Sequence, residues 1–383
     1  MMLLKSLLFS ILSFSYAVSQ QQTVQKSVFV FRHCVRSTPT SAYSGIADFD
    51  DFQNFTNKTF PKWPVEVYQC LPKGLELLRK VGSSIASQLP RGVVQFEVDT
   101  SCKRDNDTAN ALLRGMNMKQ DDYRSAPEIF DPISHGPCSP LNQSVIENAV
   151  KKRFETFPIP FKHRERLKRM QNVLGTGVAP PLDEISDFVN GAYLNGGSSV
   201  SSSFAEAFLM QLGASMEVAW GGITREDVYD FLTTHIYARG VTDRVPRLVS
   251  HSHTIMSNRI IQFFENKNES GTLILVGHDG DLDALSVMFD LKWHSEPFPP
   301  NATTPGSAIR FDLLVDTSQK QREFIQTSIY YQIFDGSGIV HKTPATFESS
   351  NSSVETFETV KNNLFPRLDS TCSMINLDTR LWW

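Results

Sequence analysis

His33 lies between two arginines in the sequence, Arg32 and Arg36. Neighbouring guanidinium charges lower the pKa of an imidazole, so the ring stays neutral and keeps a lone pair on one nitrogen. Two arginines can also bind the oxygens of one oxyanion in a bidentate manner. These residue types are suited to nucleophilic attack by His33 on a phosphoryl group. The alternative interpretation is a basic surface cluster that follows a strand.

A second pair, His278-Asp279, could complete this chemistry. Phosphoryl transfer to histidine leaves an alkoxide that needs a proton, and the Asp279 carboxyl could supply it as general acid. His278, as a cation, could bind a phosphate oxygen, and Arg104 would add a third guanidinium. The structural alternative for the pair is an aspartate that caps the following helix, with the histidine as its neighbour.

Each of these groups follows a short apolar run that favours β structure. Residues 28–31 precede Arg32, residues 273–276 precede His278, and residues 93–98 lie a few positions before Arg104. Runs that are apolar on both faces are typical of buried parallel strands. Open α/β sheets build their sites at the carboxyl ends of such strands. We therefore expect the three strand ends to bring the charged groups together.

The remaining sequence predicts helices around this sheet. Apolar residues recur at helical spacing in residues 74–89 and 204–216, with serines 201–203 as candidate caps. The pattern is mainly helical from 142 to 244, and residues 326–334 predict another strand. We predict an α/β core from residues 20–141 and 245–383, with a mainly parallel central sheet flanked by helices. Residues 142–244 would form an inserted helical domain.

The composition and the first residues of the chain restrict the possible classes of function. The chain has 383 residues, 40% of them hydrophobic, and a formal net charge of −4 without a basic block. That balance argues against a nucleic-acid partner. Lys5, an apolar stretch at 7–14 and small residues at 17–19 predict a cleaved signal peptide over residues 1–19. The stretch is too short to span a bilayer, although an uncleaved anchor is the alternative, and no stable membrane association is expected.

Sequons and cysteines fit a secreted glycoprotein, either extracellular or in a lysosome-like compartment. A sequon at Asn106 lies beside Arg104, so we expect it to be empty or to point outward. N-linked glycans are expected at some of the other six sequons, which are Asn54, Asn57, Asn142, Asn268, Asn301 and Asn351.

With these motifs the chain resembles the histidine acid phosphatases, branch 2 of the histidine phosphatase superfamily, which includes bacterial periplasmic phytase and glucose-1-phosphatase. The family signature Arg-His-Gly-x-Arg-x-Pro is matched by Arg32, His33 and Arg36, and a later His-Asp pair by His278-Asp279. Residues 99–116 resemble the family segment that carries a further phosphate-binding arginine. The resemblance covers nearly all of the chain after residue 19 and implies a phosphoglycerate-mutase-like core.

The resemblance also implies site roles and a metal-independent reaction without a cofactor. His33 would be phosphorylated transiently, Asp279 would protonate the leaving oxygen, and the phosphate would be held by Arg32, Arg36, Arg104 and His278. An acidic pH optimum follows if Asp279 must be protonated. Glu206 matches a carboxylate that faces the pocket in bacterial relatives and could accept a sugar hydroxyl.

The expected enzyme is a phosphoric monoester hydrolase acting on small-molecule phosphate monoesters. Its range would be broad or directed to sugar phosphates, with phytate as a lesser candidate. Residues 38–46 lack the basic side chains that phytate favours, and His251 and His253 stand where phytase-like relatives tend to carry arginine. Histidines are cationic at acid pH and could bind further phosphate groups, so phytate remains a candidate substrate.

Departures from the family pattern keep an alternative open. Cys34 replaces the signature glycine, and Gly280-Asp281 follow the His-Asp pair where a hydroxyl residue and asparagine are usual. Both changes favour a catalytically silent secreted glycoprotein that binds a phosphorylated ligand. An Asp-x-Asp motif at 279–281 resembles Mg²⁺-dependent haloacid-dehalogenase-type phosphatases, but that interpretation leaves Arg32-His33 unexplained. His251-x-His253 resembles a pair of metal ligands, but no further candidate ligand lies at a suitable spacing. The favoured interpretation is therefore that these histidines support the site from outside it or lie at the surface.

Five cysteines leave at least one thiol unpaired. The resemblance suggests that Cys138 pairs with Cys372. Cys70 with Cys102 is the second bridge considered, which would leave Cys34 as a free thiol in the site. Spacing alone does not determine the connectivity.

Overall fold

The computed structural model describes residues 22–39, 49, 51–316 and 322–373. The signal-peptide prediction for residues 1–19 lies outside them. The strands of the described residues are β1 (Gln22–Arg32), β2 (Val93–Val98), β3 (Arg124–Ser125), β4 (Phe188–Asn190), β5 (Tyr193–Asn195), β6 (Gly271–Gly277), β7 (Leu291–Trp293), β8 (Ala308–Asp316), β9 (Arg322–Gln332), β10 (Val340–Phe347) and β11 (Val354–Thr356).

Helices surround these strands. The α-helices of the described residues are α1 (Pro72–Ala86), α2 (Lys103–Gly115), α3 (Pro127–Phe130), α4 (Gln143–Thr156), α5 (His163–Leu174), α6 (Gly197–Gly213), α7 (Arg225–Thr242), α8 (Pro246–Ser252), α9 (Thr254–Glu265), α10 (Asp279–Met288), α11 (Phe357–Leu364) and α12 (Ser370–Ser373). Short 3₁₀ turns occur at Phe52–Phe55, Leu182–Glu184, Ala219–Gly221 and Phe365–Arg367. No described helix has the length and apolar character needed to cross a bilayer.

The central sheet has nine strands in the order β3-β2-β6-β1-β8-β9-β10-β7, with β11 paired to β9. The predicted α/β fold class is confirmed, and the three predicted site strands are neighbours. Parallel pairing joins β3, β2, β6 and β1, whereas the pairings from β1 through β8 to β7 are antiparallel. All seven residues of β6 are buried, as expected for a strand covered on both faces.

The register brings the carboxyl ends of the parallel strands level with one another. Arg32 pairs with Gly277, and Val98 pairs with Val276. The residue after each strand therefore emerges at the same edge of the sheet. This edge is where the charged groups predicted from the sequence meet.

The helices α4 to α7 and the β4-β5 hairpin come from residues 143–242 and lie outside the central sheet. Helix α6 is almost wholly buried, and Phe204 and Phe208 on it belong to the same apolar cluster as Val28 and Val30 of β1. The serines predicted as caps lie inside α6, which begins four residues earlier at Gly197. The limits of a separate helical domain at 142 and 244 stay a prediction.

One predicted disulfide is confirmed and the other is wrong. Cys138 is bonded to Cys372, but Cys34 is bonded to Cys70, and Cys102 is the free cysteine among the described residues. The reason is a tertiary pairing: residue 36 forms a β-bridge with Cys70, which brings the Cα atoms of Cys34 and Cys70 to 5.7 Å. Cys34 is fully buried in an apolar cluster, so the prediction of a free thiol in the site is also wrong.

Candidate active site

His33 is fixed by backbone contacts directly after β1. Its N–H donates to the Gly277 carbonyl at 2.9 Å, and its own carbonyl accepts from the Gly306 N–H at 2.9 Å. Ring atom Nδ1 lies 2.9 Å from the Cys34 carbonyl. A carbonyl only accepts, so Nδ1 carries the proton and Nε2 keeps its lone pair. Burial, reinforced by Arg36 and then Arg32, lowers the pKa of His33 well below its usual value. The His33 ring is therefore neutral and held in one orientation, so its Nε2 could act as a nucleophile.

Three arginines surround His33, and each has a side-chain N–H donor without a hydrogen-bond partner. The Nε atoms of Arg32, Arg36 and Arg104 are buried and make no hydrogen bond within the described structure. All three guanidiniums act electrostatically on the His33 ring. Buried guanidinium N–H groups without an acceptor are costly, and an oxyanion would satisfy them. The three predicted arginines are thus brought to one imidazole, where they can bind a tetrahedral anion.

Tyr68 contributes to this cluster and was missed in the sequence. The Cζ atoms of Arg36 and Arg104 lie 5.3 and 5.9 Å from the centre of its ring, within cation–π distance. Its φ is 65°, a left-handed conformation that is rare for a tyrosine. The ring is half exposed, so it stands at the edge of the arginine cluster. Nothing in the local sequence indicates this contact, because it depends on the chain crossing that the Cys34–Cys70 bridge fixes.

His278 and Asp279 lie where β6 ends and α10 begins. The His278 and His33 ring centres are 5.7 Å apart. The backbone N–H of His278 donates to the Asp281 carboxylate at 2.6 Å, so Asp281 caps the helix. Asp279 is therefore not needed as the cap, which was the structural alternative for this pair. Its Oδ2 instead lies 3.2 Å from Nη2 of Arg32.

Arg239, from helix α7, is a site residue that the sequence did not reveal. Its Nη1 lies 3.2 Å from Asp279 Oδ2 and 3.0 Å from Asp243 Oδ2, while its Nε donates to Asp283. Burial raises the pKa of Asp279, but Arg239 and then Arg32 outweigh it and hold that pKa well below its usual value. Asp279 is therefore a carboxylate in the resting protein, even at acid pH.

Glu206 lies beside the arginines rather than apart from them. Its Oε1 contacts Nη2 of Arg32 and lies 3.6 Å from Nη2 of Arg36. Its Oε2 makes no hydrogen bond and lies 3.5 Å from Nε2 of His235. His235 and Arg239 are one turn apart on α7, so this helix presents two polar groups to the site. Their i, i+4 spacing was the available sequence signal.

The paired histidines lie at the carboxyl end of α8, with His251 in its last turn and His253 directly after it. His251 Nδ1 lies 3.0 Å from Asp369, and its Nε2 lies 2.8 Å from the Ser139 carbonyl. His253 Nε2 lies 3.1 Å from Asp281 Oδ1, behind the cap of α10. Each ring thus has a protein partner of its own.

Removal of the Arg239 charge is expected to raise the pKa of Asp279. Charged and titratable groups from every neighbouring element act on this carboxyl. They are Arg32, His33, Arg36, Asp105, Glu206, His235, Arg239, Asp243, His278 and Asp283. A general acid acts only while protonated, so a higher pKa moves the loss of activity to higher pH. The variant Arg239→Leu should show this shift in the alkaline limb of kcat/KM, measured on an alkyl phosphate.

Arg239→Lys is the matched control, because it keeps a cation near Asp279. We expect its alkaline limb to stay close to that of the wild type. An equal shift in both variants would contradict the electrostatic explanation. Asp283 keeps Arg244 as a second partner in either variant, which limits the structural damage.

Comparison with known proteins places this geometry in context. No model of a known protein family matches the chain. A curated relative is phytase AppA of Escherichia coli K12, which is 24% identical over 373 residues, covering 83% of each chain.

Two solved structures of bacterial phytases share the fold. The phytase of Citrobacter braakii has a TM-score of 0.75 at 22% identity, covering 92% of this chain and 100% of its own. The phytase of Hafnia alvei in complex with tartrate has a TM-score of 0.77 at 22% identity, and the match covers 92% of this chain and 98% of that phytase. The two structures show the shared fold, and together with the curated relative they confirm the predicted resemblance to bacterial phytases. The curated relative also supports the predicted class of phosphoric monoester hydrolase.

Proposed function

We propose that the protein is a secreted acid phosphatase that hydrolyses phosphate monoesters through a phosphohistidine on His33, without a metal ion. The observation that carries the proposal is the set of three buried, unpartnered guanidinium nitrogens around a neutral imidazole. This arrangement supplies both the nucleophile and the electrostatic stabilisation that phosphoryl transfer requires.

The reaction has two steps. In the first, the phosphate is held by the three arginines and His278, Nε2 of His33 attacks phosphorus, and the bond to the leaving oxygen breaks. The leaving oxygen takes a proton from Asp279. In the second, Asp279 accepts a proton from water, and the resulting hydroxide attacks phosphorus. The phosphorus–nitrogen bond then breaks, releasing phosphate and neutral His33.

The resting carboxylate of Asp279 must gain a proton before the first step. A bound phosphate competes for Arg32, one of the two guanidiniums that hold Asp279 ionised. Its negative charge also raises the pKa of the neighbouring carboxyl. Low pH favours the protonated form, whereas His33 stays neutral there because its own pKa is well below the usual value. An acidic optimum follows from these two opposite requirements.

We favour a broad or sugar-phosphate substrate range over phytate. Three carboxylates lie within 4 Å of the His278 ring: Asp105 at 3.2 Å and Asp99 and Asp281 at 3.8 Å each. The negative charges of Asp99 and Asp281 oppose additional phosphate groups on the substrate. Burial raises the pKa of Asp105 well above its usual value and so favours its neutral form. The similarity to phytases keeps phytate in the test panel. Rates at acid pH on phytate, glucose 1-phosphate and an aryl phosphate would rank the three classes.

Capture of the phosphoenzyme tests the mechanism itself. Wild-type protein mixed with a labelled aryl phosphate and quenched in alkali should carry label that survives alkali and is lost in acid, as phosphohistidine is. EDTA should lower neither the label nor turnover. Inhibition by EDTA would favour the metal-dependent class.

The alternative is a catalytically silent secreted glycoprotein that binds a phosphorylated ligand. The observation that favours it is the ion pairing of Asp279 with both Arg32 and Arg239, which keeps the proposed acid ionised at rest. Binding of phosphate or tungstate by the wild-type protein, without any turnover, would select it. Secretion and occupancy of the sequons belong to the same proposal. Asn57, Asn142, Asn268 and Asn351 are exposed, whereas Asn54 and Asn301 are half-buried.

A further inference from the structure

A group of four possible metal ligands lies behind the proposed phosphate site. Asp99, Cys102, Asp105 and His278 each offer one donor atom, and all four atoms lie within 4.8 Å of one another. We call this group the Cys102 cluster. It includes the free cysteine of the described residues. Asp99 and Cys102 lie in the turn between β2 and α2, Asp105 lies in α2, and His278 directly follows β6.

An unsatisfied carboxylate points into this cluster. Asp105 is fully buried, and neither of its side-chain oxygens makes a hydrogen bond within the described structure. The facing atom, Nε2 of His278, is buried and also has no hydrogen bond, and it lies 3.2 Å from Asp105 Oδ2. A buried polar group without a partner is destabilising, and a buried carboxylate especially so. A cation between these atoms would satisfy both.

The donor types and spacing suit Zn²⁺. Thiolate sulfur, imidazole nitrogen and carboxylate oxygen are the usual zinc ligands, at about 2.0–2.3 Å. In a tetrahedral site, two such nitrogen or oxygen atoms lie roughly 3.3 Å apart, close to the separation of Asp105 Oδ2 and His278 Nε2. Asp99 Oδ1 is occupied by Ser101, whose N–H donates at 3.1 Å, so Oδ2 is the oxygen left for a metal.

We propose that the Cys102 cluster binds one Zn²⁺ ion and that this ion inhibits the protein. Four protein ligands fill a tetrahedral site, which leaves no open position for substrate. Zinc would take Nε2 of His278, so that atom could no longer donate to phosphate. The binding part of this proposal stands alone, and the inhibition rests on the proposed function.

Zinc binding can be measured on the full-length protein without substrate. Competition with a chromophoric chelator at neutral pH should show about one bound equivalent for the wild type. Cys102→Ala and Asp105→Asn should each weaken binding by about tenfold or more, because each removes a ligand. Asp107→Asn is the matched control, since Asp107 lies on the same helix but pairs with Lys103 at the surface. It should bind zinc like the wild type.

A second measurement identifies the ligand. Co²⁺ bound in place of Zn²⁺ should show thiolate-to-metal absorption in the wild type and not in Cys102→Ala. Retained zinc binding in both ligand variants would overturn the proposal, as would no binding by the wild type. In that case the Asp105–His278 contact is an ion pair that orients His278.

Inhibition is tested separately with Cys102→Ala, because Cys102 has no role in the proposed reaction. Its activity without zinc should equal that of the wild type, while its sensitivity to zinc falls at least about tenfold. If the wild type binds zinc but is equally active with it, the inhibitory part is wrong. If the protein binds zinc but never turns over phosphate esters, the proposed function fails and the zinc site does not.

Discussion

His33→Ala is expected to lower kcat on an aryl phosphate at about pH 5 by roughly three to six orders of magnitude, the range seen when a covalent nucleophile is removed. The reason is that the His33 ring is already buried and oriented for attack. Its ring is 1% exposed, its Nδ1 is held by the Cys34 carbonyl, and its Nε2 is free to attack. No neighbouring side chain can replace it, because the groups within 4 Å of the His278 imidazole are carboxyl groups, whereas arginines surround His33.

A matched control for this loss is His163→Ala. His163 is also a buried histidine, and its Nε2 lies 2.6 Å from the Ser198 hydroxyl in the helical segment. This variant should keep most of the turnover. His33→Ala should still bind phosphate or tungstate, because Arg32, Arg36 and Arg104 remain. Near-normal turnover in His33→Ala would remove the phosphohistidine route altogether.

The site residues at or just after the ends of strands were predictable from the sequence, and Glu206 on α6 was predicted from the family resemblance. The site residues on α7 were not predicted. Arg32, His33 and His278 each come directly after an apolar run, and level strand ends bring such residues together. Arg239 and His235 belong to α7, a helix in which many side chains are polar. Which of those face the site depends on how α7 packs against α6, and that packing has no signature in the local sequence.

In the antiparallel half of the sheet the sequence predicted a strand at β9 but missed β8, because β8 carries buried charges. Strand β8 is buried along its whole length yet includes Arg310 and Asp312. These two side chains form an ion pair at 2.6 Å, and Arg310 also donates to the Tyr330 hydroxyl at 2.8 Å. Mutual pairing makes their burial tolerable. In the sequence, the same charges interrupt the apolar run that identified the other strands.

The disulfide error has a similar origin. The spacing of the five cysteines left the connectivity open, and the Cys70–Cys102 bridge was one of several possible pairings. The actual partner of Cys70 is set by the crossing of two segments 36 residues apart in sequence. The Leu71 N–H donates to the Val35 carbonyl at 2.9 Å, so the two segments run side by side next to His33. The Cys34–Cys70 bridge thus fixes the loop that carries Arg36.

The second large effect is expected from Asp279→Asn, and it should depend on the leaving group. An alkoxide from an alkyl or sugar phosphate needs a proton as it departs, so kcat on these substrates should fall about 10²–10⁴-fold. A nitrophenolate leaves without full protonation, so the loss on nitrophenyl phosphate should be much smaller. The measurement is the ratio of the two losses at one acid pH.

Asp281→Asn is the comparator for this experiment. Asp281 is a carboxylate on the same helix, but it contacts the backbone and ring of His278 rather than the leaving-group side of the site. Any effect of this change acts through phosphate binding and should be equal for both substrates. If Asp279→Asn also lowers both rates equally, its carboxylate serves to hold Arg32 and Arg239 in place. The proton for the leaving group would then have to come from the substrate monoanion or from water.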